Sequence, residues 1–296
     1  MKSTRSLLHR TISLFGRLWL IGAIGLAIEA IDTAGAADSA SLSATSIARR
    51  SNPQSDFNGD GITDLVWQNN QGTVAFWMMN GASVSDEAVP LVLPGGWQIA
   101  CTGDFNGDGQ ADIVLVHADG SVAFWIMNGT TVSRGIAQYK LPTGWRIVSA
   151  GDFNGDGKTD LLLTHSDSSV AYWLMDGTTI QQGIVPYKLP ERWRIVGTGD
   201  FNVDGRTDIV LLHDSGVIAF WFMNGTAFWN GTIAFSVPSG SRLIGIGDFN
   251  GDGQGDMVLQ DTNGRVTLWL LEDMAVKEAI VLRRTSEAAW TLASPR

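Results

Sequence analysis

The chain has 296 residues, with 30 Asp and Glu against 20 Lys and Arg, a formal net charge of −10, and a single cysteine. An acidic chain without a basic stripe argues against a nucleic-acid partner, and one thiol, Cys101, excludes an internal disulfide.

The first 36 residues read as a secretory signal peptide. Lys2, Arg5, Arg10 and Arg17 precede an apolar run, Leu18 to Ile28, and Ala34-Gly35-Ala36 offers a small-residue cleavage site. An uncleaved anchor is the alternative, but a run bounded by Arg17 and Glu29 falls short of the ~20 residues a span needs. The expected location is therefore secreted, periplasmic or at the cell surface, with no stable membrane span after cleavage. Residues 37–54 are rich in Ser and Ala, lack periodicity and read as a flexible linker.

From residue 55 onward one nine-residue stretch recurs. Asp56-Phe-Asn-Gly-Asp-Gly-Ile-Thr-Asp64 returns at Asp104–Asp112, Asp152–Asp160, Asp200–Asp208 and Asp248–Asp256, always 48 residues apart. A fixed period of this length means stacked copies of one supersecondary unit. Positions one, five and nine are Asp in every copy, position three is Asn and position six is Gly. Turn chemistry accounts for Asp, Asn and Gly in one copy, but it needs no third Asp in five. Alternate positions of a tight loop can turn oxygens toward one centre, as a hard cation such as Ca²⁺ requires. Without a cation the carboxylates would repel one another. An EF-hand would need Glu at position twelve and a helix beyond it; Trp67, Leu115, Leu163, Leu211 and Leu259 stand there instead, within β-prone sequence. The fourth copy has Val203 where the others have Gly, and a β-branched residue is strained there if φ must be positive. That loop is expected to be the weakest site.

The second repeat shows the strands. Trp97–Gly103 leads into the loop, Asp112–His117 leaves it, Ser121–Met127 follows, and Asn128-Gly129 turns the chain into Thr130–Leu141. Four strands per 48 residues predict an all-β fold, a β-propeller of five four-stranded blades. Small residues beside the loop, such as Thr102-Gly103 and Ala150-Gly151, suit strands crowded around an axis. Trp77, Trp125, Trp173, Trp221 and Trp269 hold one repeated slot; Trp97, Trp145 and Trp193 hold another. Both are expected to pack between blades, with sugar stacking as the other use of such faces. The first loop lacks a preceding strand, and Ala289–Ser294 resembles one. The C-terminal strand is therefore expected to complete the first blade and close the ring without a free edge, although Trp290 comes one residue late.

The motif D-F-N-G-D-G-x-x-D, with its Trp-containing strand and Asn-Gly turn, resembles the VCBS / FG-GAP repeats of exported bacterial proteins. It is similar to the calcium-binding blades of the integrin α-subunit propeller. The resemblance covers residues 56 to about 294 and implies up to five Ca²⁺ ions. The implied ligands are Asp56, Asn58, Asp60 and Asp64; Asp104, Asn106, Asp108 and Asp112; Asp152, Asn154, Asp156 and Asp160; Asp200, Asn202, Asp204 and Asp208; and Asp248, Asn250, Asp252 and Asp256. It implies no substrate. Integrin-type propellers have seven blades, so five weaken any analogy in partner binding.

The leading functional expectation is a secreted, non-catalytic calcium-binding propeller that binds an unidentified glycan or protein ligand. The alternatives are a lectin with repeated inter-blade sites and, third, a propeller hydrolase. His117, His165 and His213 occupy one repeated slot, unlike a unique catalytic histidine, and read as solvated strand ends. No G-x-S-x-G, H-E-x-x-H or Cys–His pairing is present. A paired-carboxylate site would need acids that break the fivefold pattern, and the candidates Asp86, Glu87, Glu191, Glu272 and Asp273 are scattered.

Overall fold

The computed structural model describes residues 54–284 and 290–294. The expected signal peptide, and the expected linker up to residue 53, lie outside the described residues. The described chain forms five four-stranded antiparallel sheets and no helix. In the second blade the strands are Trp97–Gly103, Asp112–His117, Ser121–Asn128 and Thr131–Lys140, running from the axis outward. Val122, Ala123 and Phe124 are consecutive and all buried, because successive side chains point to opposite faces of the blade and both faces are covered by neighbouring blades. The outer strand is largely exposed.

Ring closure follows the expected route. Trp290–Ser294 pairs antiparallel with Leu65–Asn69 as the inner strand of the first blade. Trp290 lies opposite Asn69, as Trp97 lies opposite His117, so its register matches the other blades. The extra residue falls before it, between Arg284 and Trp290. Each inner strand neighbours the next: Trp97–Gly103, Trp145–Gly151, Trp193–Gly199, Ser241–Gly247, Trp290–Ser294 and back to the first. The five-bladed propeller is thus closed within one chain.

The core lies between the blades. Five apolar clusters each draw on two neighbouring blades; one joins Phe57, Val66 and Phe76 to Ile99, Ile113 and Leu115. The third-strand tryptophans behave as expected, with Trp173, Trp221 and Trp269 meeting Tyr139, Tyr187 and Phe235 of the preceding blade at 5.6–6.0 Å. The second slot packs at the edge of the same inter-blade clusters and makes a further contact. Trp97, Trp145 and Trp193 lie 5.0–5.1 Å from His117, His165 and His213 of their own blades, because the two residues face each other across paired strands.

The inner-strand glycines have a sharper reason than crowding at the axis. A Cβ on Gly151 would sit 2.5 Å from the Thr207 methyl of the next blade, and one on Gly103 would sit 2.4 Å from that of Thr159. Gly247 meets Thr63 in the same way. Replacing Gly151 by Ala is therefore expected to destabilise the fold by about 1–3 kcal/mol through overpacking. Paired Gly151→Ala and Thr207→Ser melting curves check this, because the second change should restore part of the loss.

Candidate metal-binding loops

Four of the nine-residue loops join an inner strand to the second strand of their blade, and the first leads into the second strand of its own, so all five sit at one end of the ring. In the first loop, the Asp56 carboxylate accepts hydrogen bonds from the amides of Gly59 at 2.7 Å, Asp60 at 3.2 Å and Gly61 at 2.8 Å. Asn58 Oδ1 accepts from the Asp60 amide at 3.0 Å, and Asp60 Oδ1 from the Ile62 amide at 2.9 Å. The Asn58 side-chain amide donates to Asp60 Oδ2 at 2.9 Å. The oxygens at positions one, three and five are thereby folded back over their own loop.

The pattern recurs. Asp104, Asp152, Asp200 and Asp248 accept from the amides of Gly109, Gly157, Gly205 and Gly253 at 2.7–2.9 Å. Asn106, Asn154, Asn202 and Asn250 donate to Asp108, Asp156, Asp204 and Asp252.

The ninth-position aspartates have a second duty that the motif did not reveal. Asp64 is fully buried, and its two oxygens accept from the amides of Phe57 and Met79 at 2.9 and 2.8 Å. Asp112, Asp160, Asp208 and Asp256 clasp the equivalent amides of Phe105 and Met127, Phe153 and Met175, Phe201 and Met223, and Phe249 and Leu271. Each clasp ties the start of a loop to the end of the third strand. Burial pushes the Asp64, Asp160, Asp208 and Asp256 carboxyls up to about 7 and Asp112 up to about 6. The other aspartates of each loop add to the rise, and the two amides oppose it. Burial also raises Asp56, Asp200 and Asp248.

Neighbouring loops are bonded to each other at three junctions of the ring. The amide of Ala111 donates to the Asp56 carbonyl at 2.6 Å, that of Gly255 to Asp200 at 2.8 Å, and that of Thr63 to Asp248 at 2.8 Å. These bonds run between the first residue of one loop and the eighth of the next.

Val203 adopts φ of 58°, while its counterparts Gly59, Gly107, Gly155 and Gly251 have φ of 76–78°. A left-handed conformation costs an L-residue about 1–2 kcal/mol, more than the roughly 0.5–1 kcal/mol entropy cost of Gly. Val203→Gly is therefore expected to raise the melting temperature by up to a few degrees, on the scale of roughly 2–4 °C per kcal/mol. A fall in a thermal scan would contradict this.

The donor set fits a hard divalent cation, because every side chain in it offers oxygen. Among the described residues, no three carboxylate, imidazole or thiol groups converge as a metal-binding cluster. The loop carboxylates instead face backbone amides. A carboxylate oxygen carries two lone pairs, so an amide contact leaves it able to bind an ion.

The second-position phenylalanines are a feature the sequence reading assigned no role. Phe57, Phe105, Phe153, Phe201 and Phe249 are all buried. The first four pack on Phe76, Phe124, Tyr172 and Phe220 at 4.5–5.2 Å. Their presence in all five copies was the available signal, masked by reading the motif for its oxygens. At the opposite end of the blades, the histidines are held in place. His117 and His165 Nδ1 lie 2.8 and 2.7 Å from Asp119 and Asp167, and His213 Nδ1 lies 2.7 Å from Ser215.

Comparison with known proteins agrees with the repeat. The FG-GAP-like repeat family matches residues 56–115, 104–163, 152–211 and 200–259. A search of the curated proteins finds no match. Among solved structures, the chain is similar to Raptor of Chaetomium thermophilum, at 12% identity, with 80% of this chain and 22% of that one covered and a TM-score of 0.40. It is also similar to BBS1N in complex with ARL6DN, at 12% identity over 70% and 64% of the two chains, TM-score 0.35. A third is the complex of fission yeast SREBP–SCAP binding domains, at 12% identity over 97% and 69%, TM-score 0.34. The chain thus spans under two-thirds of the first two. With four tandem matches covering well over half of its length, the chain belongs to the FG-GAP-like repeat family and folds as a five-bladed propeller of the kind used for binding and interaction.

Proposed function

We propose that this chain is an exported, calcium-binding propeller that acts as a non-catalytic binding or surface-interaction module. The observation that carries the reading is the fivefold recurrence of an all-oxygen loop at one end of a closed ring. Positions one, three, five and nine of each loop, from Asp56, Asn58, Asp60 and Asp64 to Asp248, Asn250, Asp252 and Asp256, would hold the ion. Bound calcium would neutralise the crowded carboxylates and cross-link each loop. Thermal melting in calcium and in chelator tests this. An ion at about 100 times its dissociation constant stabilises a site by roughly 2.7 kcal/mol, so an unchanged melting temperature would contradict the reading. Export is supported by the residue pattern of positions 1–36 and is tested by sequencing the N-terminus of the protein recovered outside the cytoplasm.

A second reading is a lectin. A groove of about 620 Å³ runs between the second and third blades, lined by His117, Asp119, Lys140, Trp145 and Arg146. A half-buried aromatic face beside hydrogen-bonding groups suits a sugar. A glycan array on the purified chain decides this, and flat signals on every glycan would remove the reading.

A further inference from the structure

The axial mouth at the end of the ring away from the loops is lined by positive charge. The second residue of each inner strand is Gln98, Arg146, Arg194, Arg242 or Thr291. Arg146, Arg194 and Arg242, from three successive blades, line one axial cavity of about 350 Å³. Apolar residues including Ile147, Ile195 and Leu243 complete its wall, and no Asp or Glu lines it. In a chain of net charge −10, this is a concentrated cationic mouth.

The fold does not require arginine at this slot. Gln98 and Thr291 hold it in blades with the same inner-strand pairing. Salt bridging accounts for the arginines only in part. Arg194 lies 3.8 Å from Asp214, whereas Arg146 donates to the neutral Thr164 hydroxyl at 3.0 Å and Arg242 to the Gln260 side-chain oxygen at 2.5 Å. A guanidinium has five N–H donors in a rigid fork and stays charged at any physiological pH. A fork anchored through one nitrogen keeps donors for a ligand. Three such groups around a small apolar-walled cavity repel one another, and the low-dielectric wall focuses their field. An anion relieves both effects.

The cavity is separate from the loop end. Between the two mouths the inner strands are cross-linked by Ser55 with Thr102, Thr102 with Ser294, and Ser149 with Thr198. Gln54 donates to Ala150 and Thr198 there.

We propose that the Arg146–Arg194–Arg242 mouth binds a small organic polyanion, one carrying two or three oxyanion groups on an apolar frame. The three forks take the oxyanions by charge-assisted hydrogen bonds, and the aliphatic wall takes the frame. A volume of about 350 Å³ suits a small molecule, as such pockets run from roughly 300 to 1,000 Å³.

The test is isothermal titration with benzene-1,3,5-tricarboxylate, benzene-1,3-disulfonate and benzoate. The expected result is saturable one-to-one binding of the tricarboxylate or the disulfonate, with benzoate at least about tenfold weaker. The two polyanions separate carboxylate from sulfonate recognition. Arg146→Gln, Arg194→Gln and Arg242→Gln each copy the residue of the second blade, and each is expected to weaken binding roughly three- to tenfold. The triple variant, checked for an unchanged melting curve, should abolish it. Lys158→Gln with Arg206→Gln, at the loop mouth, should leave it unchanged. Equal binding by the arginine variants, benzoate as tight as the tricarboxylate, or no saturable binding would each overturn the proposal. Loss of binding in the Lys158/Arg206 variant would do so too. The site shares no residue with the loops, so this result stands apart from the calcium measurement.

Discussion

Replacing Asp112 by alanine is expected to lower the unfolding free energy by about 3 kcal/mol even without metal, because it leaves two buried amides unpaired. Those amides belong to Phe105 and Met127, and Asp112 has no exposed surface. On the scale of roughly 2–4 °C per kcal/mol, the melting temperature should fall by roughly 6–12 °C. Asp112→Asn should fall between alanine and the parent, since its one carbonyl oxygen can accept from one amide while its NH₂ faces the other. Melting curves followed by circular dichroism in chelator check both variants. An unchanged curve for the alanine variant would show that the clasp does not hold the loop to the third strand. The same substitution at Asp108, whose bonds to the Gln110 amide and the Asn106 side chain are exposed, should cost much less in chelator and gain most of its effect when calcium is present.

The second large effect is a reversal of pH dependence by calcium. In chelator, the chain should be most stable in mild acid and lose stability as pH rises through about 6 to 7. The buried ninth-position carboxyls sit at about 6 to 7 in the folded chain, against 3.8 when unperturbed. A raised folded value means that the folded state binds the proton more tightly. The stabilisation is complete below about pH 4 and is lost as pH climbs past the folded values. Calcium competes with those protons, so its own stabilisation grows across the same window. Melting temperatures from about pH 5 to pH 8, with and without calcium, check the sign. A metal-free melting temperature that stays flat or rises over that range would contradict it.

The strands were legible because the 48-residue period repeats without slip. The boundaries read from one copy, Trp97–Gly103 and Asp112–His117, are those observed. Closure was legible because Trp290–Ser294 repeats the pattern of an inner strand, and its pairing opposite Asn69 keeps the register of the other blades despite the one-residue offset in sequence. The hairpin turn was legible in place but less so in detail. Asn128 pairs with Thr131, so the turn residues are Gly129 and Thr130, and of the two only Gly129 has a positive φ.

What the sequence hid were partnerships across blades or within them. The 48-residue register aligns Gly151 with Gly103, but only the ring places Thr207 against the first and Thr159 against the second. Trp97 and His117 are 20 positions apart, and strand pairing makes them neighbours within one blade while Trp97 also packs on the core shared with the first blade. The ninth-position aspartates were read from chemistry alone, which speaks of a cation and says nothing of two waiting amides. The arginine mouth went unread because it breaks the fivefold pattern: only three of the five copies carry it.

The most direct measurement is the number of metal ions on the purified, calcium-equilibrated chain, read by mass spectrometry under non-denaturing conditions. The account predicts five Ca²⁺ per chain, the loop with Val203 emptying first as calcium is withdrawn. It also predicts four after Asp152 and Asp156 of the third loop are replaced by alanine. A chain that carries no calcium, or one whose count is unmoved by that replacement, would contradict it.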